Sequence, residues 1–137
     1  MITNADLTIF NKHYDPTSKS EKYQRTQIVG VVWENRKAAN VIKSGLISAD
    51  QVAIYIPFAR GANYLQPIAW QALSNKTGKW TLQIGDFVVK GLVNDSITSS
   101  FTISDLKAKY NDVLSIKSVD TMDRGSAHMR HWQLGAN

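Results

Sequence analysis

The stretch Lys79-Trp80-Thr81-Leu82-Gln83-Ile84-Gly85-Asp86-Phe87-Val88-Val89-Lys90-Gly91-Leu92-Val93 constrains the fold more than any other part of this chain. Trp80, Leu82 and Ile84 alternate with Thr81 and Gln83, the period of two that sends successive side chains to opposite faces of a strand. Gly85 tolerates a positive φ and Asp86 can bond back to its own turn, so this pair predicts a tight reversal. Phe87-Val88-Val89 then runs apolar, as a strand buried on both faces does. Gly91 marks a bulge or a close backbone approach. The stretch predicts two short paired strands, with Phe87 in the core, where Phe87→Ala would cost about 3–5 kcal/mol.

The length of 137 residues favours one domain, residues 1–137, with a core that needs no staples. There is no cysteine, which removes disulfides, thiolate metal sites and a cysteine nucleophile. No apolar run approaches the roughly 20 residues that span a bilayer. Met1-Ile2-Thr3-Asn4 lacks the basic and apolar regions of a signal peptide. The net charge is +5, a balance that suits nucleic acid, an anionic surface or an acidic protein partner. It is spread evenly: residues 1–70 hold eight basic and five acidic side chains, and residues 71–137 hold eight and six.

In chain order, Asp6 to Phe10 alternates as a first strand. Asp15-Pro16-Thr17-Ser18-Lys19-Ser20 is a polar turn, and Tyr23 to Trp33 is a second strand rich in β formers, with a bulge at Gly30. Glu34 to Asp50 reads as a long connection. Arg36 to Ser44 has weak helical character, and Gly45 suits a C-cap. Gln51 to Pro57 is a strand that Pro57 ends. Ala59 to Lys79 is a second long excursion, holding Arg60, Lys76 and Lys79 and no acidic residue. Within it Pro67 to Leu73 predicts one or two helical turns with Pro67 first. Thr98 to Phe101 reads as a short strand. Ser104 caps a helix over Asp105 to Tyr110, with Leu106 and Tyr110 on its buried face. Val113 to Val119 and Ala127 to Leu134 are the last strands. The pattern predicts a mainly β fold: a small β-barrel of about seven strands, one short α-helix and two long loops.

No constellation carries catalytic chemistry. His128 and His131, three apart on a strand, face opposite ways and cannot share an ion. His13 reads as solvated. Asp86, Asp120 and Asp123 sit among turn formers and read as turn caps. No Gly-x-Ser-x-Gly elbow and no glycine-rich phosphate loop occurs. Trp33, Trp70, Trp80 and Trp132 read as core and interface anchors, and Trp70, in the acid-free excursion, as the contact with another subunit.

Several segments resemble small structural proteins of tailed bacteriophages. They are Asn4-Ala5-Asp6-Leu7-Thr8-Ile9, Lys37-Ala38-Ala39-Asn40-Val41-Ile42, Asp86-Phe87-Val88-Val89-Lys90-Gly91, Ile103-Ser104-Asp105-Leu106-Lys107, Ile116-Lys117-Ser118-Val119-Asp120 and His128-Met129-Arg130-His131-Trp132-Gln133-Leu134-Gly135. The family is that of the minor capsid, or head-closure and neck, proteins encoded between the capsid and tail genes. The resemblance implies a small β-barrel assembled as a homo-oligomeric ring between portal and tail, with DNA passing through its centre. It implies portal, adaptor and tail proteins as neighbours, non-specific contact with the DNA, and residence in the virion neck after assembly in the host cytoplasm. It brings no enzymatic activity, cofactor, metal or membrane. The long loops then face the channel or a neighbouring ring, with Arg36, Lys37, Lys43, Arg60 and Trp70 as the residues expected to make those contacts. The loop from Glu34 to Asp50 is expected to gain order on assembly, with Lys37 or Lys43 toward DNA or an acidic neighbour. The alternative is a nucleic-acid-binding small β-barrel, suggested by the positive charge and the aromatics. A small hydrolase is disfavoured, because no nucleophile–base pair is visible.

Overall fold

Five consecutive residues of the first strand, Leu7 to Asn11, are fully buried, so this strand has protein on both faces. The structure, a computed structural model, describes the backbone of residues 2–42, 45–126 and 129–137, and the side chains among these outside 36–50. Six strands form a closed antiparallel barrel: β1 (Ala5–Asp15), β2 (Ser20–Ile42), β3 (Gly45–Pro57), β4 (Phe87–Lys90), β5 (Val113–Met122) and β6 (His131–Ala136), in the order β1-β2-β3-β6-β5-β4. Phe58–Arg60 is a single 3₁₀ turn; α1 is Pro67–Gln71 and α2 is Ile103–Lys109.

β2 makes the closure possible. Its first half pairs with β1, from Ser20↔Asp15 to Val31↔Ala5, and its second half with β3, from Val32↔Tyr55 onward. The register slips between Ala5 and Asp6, which leaves Gly30 as the extra residue of a bulge. Gly30 has φ +88, and a Cβ there would lie 2.9 Å from the Arg60 guanidinium. The positive φ is what calls for glycine, since the guanidinium is the mobile end of a long side chain. Asn4 extends the seam beyond β1: its side-chain amide accepts from the Trp33 backbone N–H at 2.8 Å and donates to the Trp33 carbonyl at 3.2 Å.

The barrel interior is filled by Leu7, Ile9, Ile28, Trp33, Ile54, Ile56, Val88, Ile116 and Leu134, closed at one end by Tyr64, Trp80 and Trp132. The Tyr64 ring lies 4.4 Å from Trp132 and 5.0 Å from Trp80, centroid to centroid, and Phe58 lies 4.5 Å from Trp132. A second, smaller core lies outside the sheet. There α2 lays Leu106 over Phe10, Val89 and Val93, with Phe87 and Tyr110 at its margin. Val88 inside and Val89 outside make β4 the doubly buried strand that its apolar run predicts.

Several expectations need correction. Trp80 to Ile84 is not a strand: Trp80 makes one isolated bridge to Tyr64, Thr81 is buried and Ile84 is 71% exposed. The backbone there bends to seat Thr81 against Asn11, which breaks the alternation. Thr98 to Phe101 is a turn, with the Thr98 hydroxyl accepting from the N–H groups of Ser100 and Phe101. Without these two segments six strands remain, the small β-barrel that the pattern predicts. The cap of α2 is Thr102, not Ser104; Thr102 and Asp105 form a reciprocal capping box. The last strand begins at His131 rather than Ala127. Residues 34–42 and 45–50 belong to strands, not to a loop or helix. The pairing that runs from Asn35↔Val52 to Ile42↔Gly45 outweighs the helical propensity of Arg36-Lys37-Ala38-Ala39. Lys43 and Ser44 lie outside the described residues.

Phe87 is only half-buried, whereas Phe10 is fully enclosed in the same outer core. Phe10→Ala is therefore expected to destabilise by about 3–5 kcal/mol and Phe87→Ala by about half of that. Chemical denaturation of the two variants measures the difference; a larger loss at Phe87 would contradict this packing.

Candidate functional site

The excursion that links β3 to β4 carries the residues expected to make contacts, and its sequence explains how it is held. Pro57 lacks a backbone donor and ends β3. The 3₁₀ turn follows and places Arg60, exposed, beside Gly30 of β2. Gly61 passes so close to Trp132 that a Cβ would lie 2.6 Å from the indole ring. Pro67 opens α1 at its first turn, where its missing N–H costs nothing.

Trp70 follows three residues later and is completely buried. Its indole N–H donates to the Lys79 carbonyl at 3.1 Å, His13 meets the ring edge-on at 5.7 Å between centroids, and the Lys76 ammonium lies 5.4 Å above it. Trp70 is thus the pin of the excursion, not a surface for another subunit. In sequence it looks available because the excursion around it holds no acidic residue and large aromatics concentrate at interfaces. The signal that marks it as buried is the Pro-x-x-Trp spacing, which turns the indole inward one turn after the helix start. His13 is likewise not solvated: it packs on Trp70, and burial, aided by Lys76, holds its pKa below the usual histidine value.

Beside Trp70 lies a polar network centred on Asp86, which is 3% exposed. Asn11 donates from one amide nitrogen to the Asp86 carboxylate at 2.9 Å and to the Thr81 carbonyl at 2.8 Å. Gln83 donates to the same carboxylate oxygen at 2.7 Å, and the Lys12 backbone N–H donates to the other at 3.2 Å. Gln71, at the end of α1, donates to Gln83 at 2.7 Å and to the Lys12 carbonyl at 3.0 Å. Asp86 therefore does more than cap its turn. It ties β1, the 83–86 turn and α1 together.

Burial raises the Asp86 pKa, and the donations from Asn11, Gln83 and Lys12 pull it partly back. A buried carboxyl with a raised pKa is a general acid–base candidate in principle. Here every close partner is an amide donor that belongs to the fold, and no hydroxyl, thiol or amine nucleophile is among them. The network is a structural clamp.

The remaining candidates disperse. Arg36, Lys37 and Lys43 fall at positions whose side chains lie outside the described residues. Asp120 is exposed in β5, opposite Gln133, rather than in a turn. His131 bonds through Nδ1 with the Met129 carbonyl at 2.7 Å and meets Tyr55 edge-on; His128 lies outside the described residues. Among the described residues no three His, Asp or Glu side chains converge as metal ligands do. No helix among the described residues is long and apolar enough to cross a membrane.

A raised carboxyl pKa has a definite sign. Above the ordinary value of 3.8 the native state holds a proton that the unfolded state has lost, so stability from this group is complete at low pH and declines as pH rises through the folded pKa. Relative to Asp86→Asn, the wild type is expected to lose unfolding free energy as pH rises from about 4 through the folded pKa and to level off above it. Urea titrations of both proteins across the acid range measure this, and a difference that is flat with pH would contradict it.

No curated protein and no solved structure matches this chain. A family model matches it from residue 2 to residue 137. The chain therefore belongs, over essentially its whole length, to the family described as a family of unknown function, DUF6751.

Proposed function

We propose that the protein is a structural virion component of a tailed bacteriophage: a head-completion or stopper subunit that forms a homo-oligomeric ring in the neck, between portal and tail. The resemblance of segments spread along the chain to neck and minor capsid proteins supports the reading, and one structural observation carries it. Beyond the barrel, β2 and β3 continue as a two-stranded arm. β1 stops pairing with β2 at Val31 and β6 stops pairing with β3 at Val52, yet the β2–β3 ladder runs on from Arg36↔Gln51 to Ile42↔Gly45. These further pairs project the ribbon by roughly 20 Å.

A lone two-stranded ribbon is marginal in water. The barrel is already closed and does not need it. A neighbouring subunit in a ring supplies the surface that such an arm lacks, and ring closure follows when each copy reaches to the next. The partners are then further copies of this chain and the adjacent portal, adaptor and tail proteins, with non-specific phosphate contact where DNA passes. Arg36 and Lys37 belong to β2 within the arm.

Mass spectrometry and cryo-microscopy of purified particles test the reading. The protein is expected in the neck as a ring, and complete, infectious particles that lack it would sink the proposal. In hydrogen exchange, amides 36–42 and 45–50 are expected to slow by more than about tenfold on assembly, because docking adds to their opening free energy. Equal, strong protection in the free protein would show that the arm needs no neighbour.

A further inference from the structure

The barrel closes, but not along the whole of β2. Hydrogen bonds on the far side of β1 fix which groups of β2 are paired. The Asp6 carbonyl accepts from Gly91 on the β4 side, and the Lys12 N–H and carbonyl bond to Asp86 and Gln71 on that same side. In an antiparallel strand the N–H and C=O of one residue point the same way, and alternate residues point opposite ways. Asp6, Thr8, Phe10 and Lys12 therefore face away from β2. Their partners Val29, Gln27, Arg25 and Tyr23 turn their own N–H and C=O groups away from β1. Among the described residues nothing bonds to these outward N–H and C=O groups, while the Arg25 and Gln27 side chains donate to the Asn94 and Val93 carbonyls. β3 does not reach them, because it joins β2 only from Val32.

Two clefts adjoin the β1–β2 hairpin. One, of about 890 Å³, lies over the hairpin end, lined by His13 to Thr17 and by Lys22, Tyr23 and Gln24, with Gln71 and Lys76 reaching it from the β1 side. The other, of about 400 Å³, lies along the outward edge and is lined by Thr26 to Val29. Its far wall comes from the excursion: Arg60 and Asn63. The excursion has no acidic residue from Ala59 to Lys79. The clefts present Lys22, Arg60 and Lys76 against a single carboxylate, Asp15, which already pairs with Lys22 at 2.8 Å. Val29, 58% exposed, adds an apolar contact.

We propose that this edge is a docking site for an extended acidic peptide segment of a partner protein, which adds to β2 as a further strand. The four outward residues supply the ladder, and Arg60, across the second cleft, supplies the charge preference. A row of alternating donors and acceptors matches another peptide backbone; a nucleic acid has no such row, so the groove favours protein although it is basic.

The test uses the full chain, isotope-labelled for amide NMR, and a capped octapeptide alternating glutamate and valine at up to millimolar concentration. The amides of Tyr23, Arg25, Gln27 and Val29 are expected to shift and to gain exchange protection, and the binding to weaken with salt. Val29→Pro deletes one outward donor without touching the β1 ladder and is expected to weaken binding about two- to tenfold, the value of one backbone hydrogen bond. Val29→Ala keeps the donor and is expected to bind nearly as well. Arg60→Glu, at an exposed position, is expected to weaken binding and to relieve the preference for acid even if the proline variant folds poorly. Absence of shifts at these amides would overturn the proposal, as would equal binding of a lysine–valine octapeptide. The same shifts with oligothymidine would assign the groove to nucleic acid instead. Protection of the four amides that rises with protein concentration alone would assign it to a second copy of the chain.

Discussion

The bulge at Gly30 is the constraint on which the architecture rests. It lets one long strand serve two sheets, turning from β1 to β3 within the span of a few residues. A side chain there would meet both a forbidden backbone conformation and the Arg60 guanidinium. Three consequences follow from the one bend. The barrel closes. The first half of β2 is left without a partner on its far side, because β3 diverges and Pro57 cannot extend the ladder. The second half, aimed away from β1, runs past the end of the barrel with β3 and becomes the arm.

The excursion that fills the gap between β2 and β3 is held by different means at its two ends. At the start, aromatic packing dominates: Gly61 slides under Trp132, and Tyr64 sits between Trp132 and Trp80. At the other end, Trp70 and the Asp86 network take over. The amides of Asn11, Gln71 and Gln83 satisfy a carboxylate and a strand edge that would otherwise be buried without partners, a costly state. The same amides cover the β1 edge at Lys12, which explains why β1 is protected there and β2 is not. Among the described residues no comparable group reaches the outward backbone of Tyr23 to Val29.

Much of the fold was legible in the sequence where a local rule and the tertiary structure agree. The bulge at Gly30, the stop at Pro57, the helix start at Pro67 and the two-sided burial of Phe87-Val88-Val89 all follow from backbone restrictions or from unbroken apolar runs. The failures share a cause. Trp80 to Ile84 alternates as a strand does, but its hydrogen bonds go to the Asn11 side chain and not to a neighbouring strand, and a side chain seventy positions away leaves no local trace. Arg36 to Ile42 looks helical because its residues are good helix formers, while the pairing partner that decides its state lies across a reversal. Trp70 reads as an interface residue and Asp86 as a turn cap because the groups that satisfy them when buried, the Lys79 carbonyl and the Asn11 amide, are brought up by the fold and not by adjacent sequence. Residue types alone do not separate a buried clamp from a solvated turn.

A closed barrel ordinarily removes the problem of unpaired strand edges, and proteins that keep an edge open usually blunt it with charge, proline or a bulge. β5 follows that rule beyond Ile116: Lys117 sits in a register irregularity, and Asp120 lies on the exposed run that follows. Between Tyr23 and Val29 β2 carries one charge, Arg25, and that side chain is turned to the Asn94 carbonyl. Its outward residues include an apolar, exposed Val29, and Arg60 stands across a cleft from it instead of in packed contact. An edge left open in an otherwise closed sheet, with a cation across from it, is a surface shaped for another chain. The arm and this edge lie at opposite ends of one strand, separated by the bulge. The bend that closes the barrel thus also sets the direction in which each faces a neighbour.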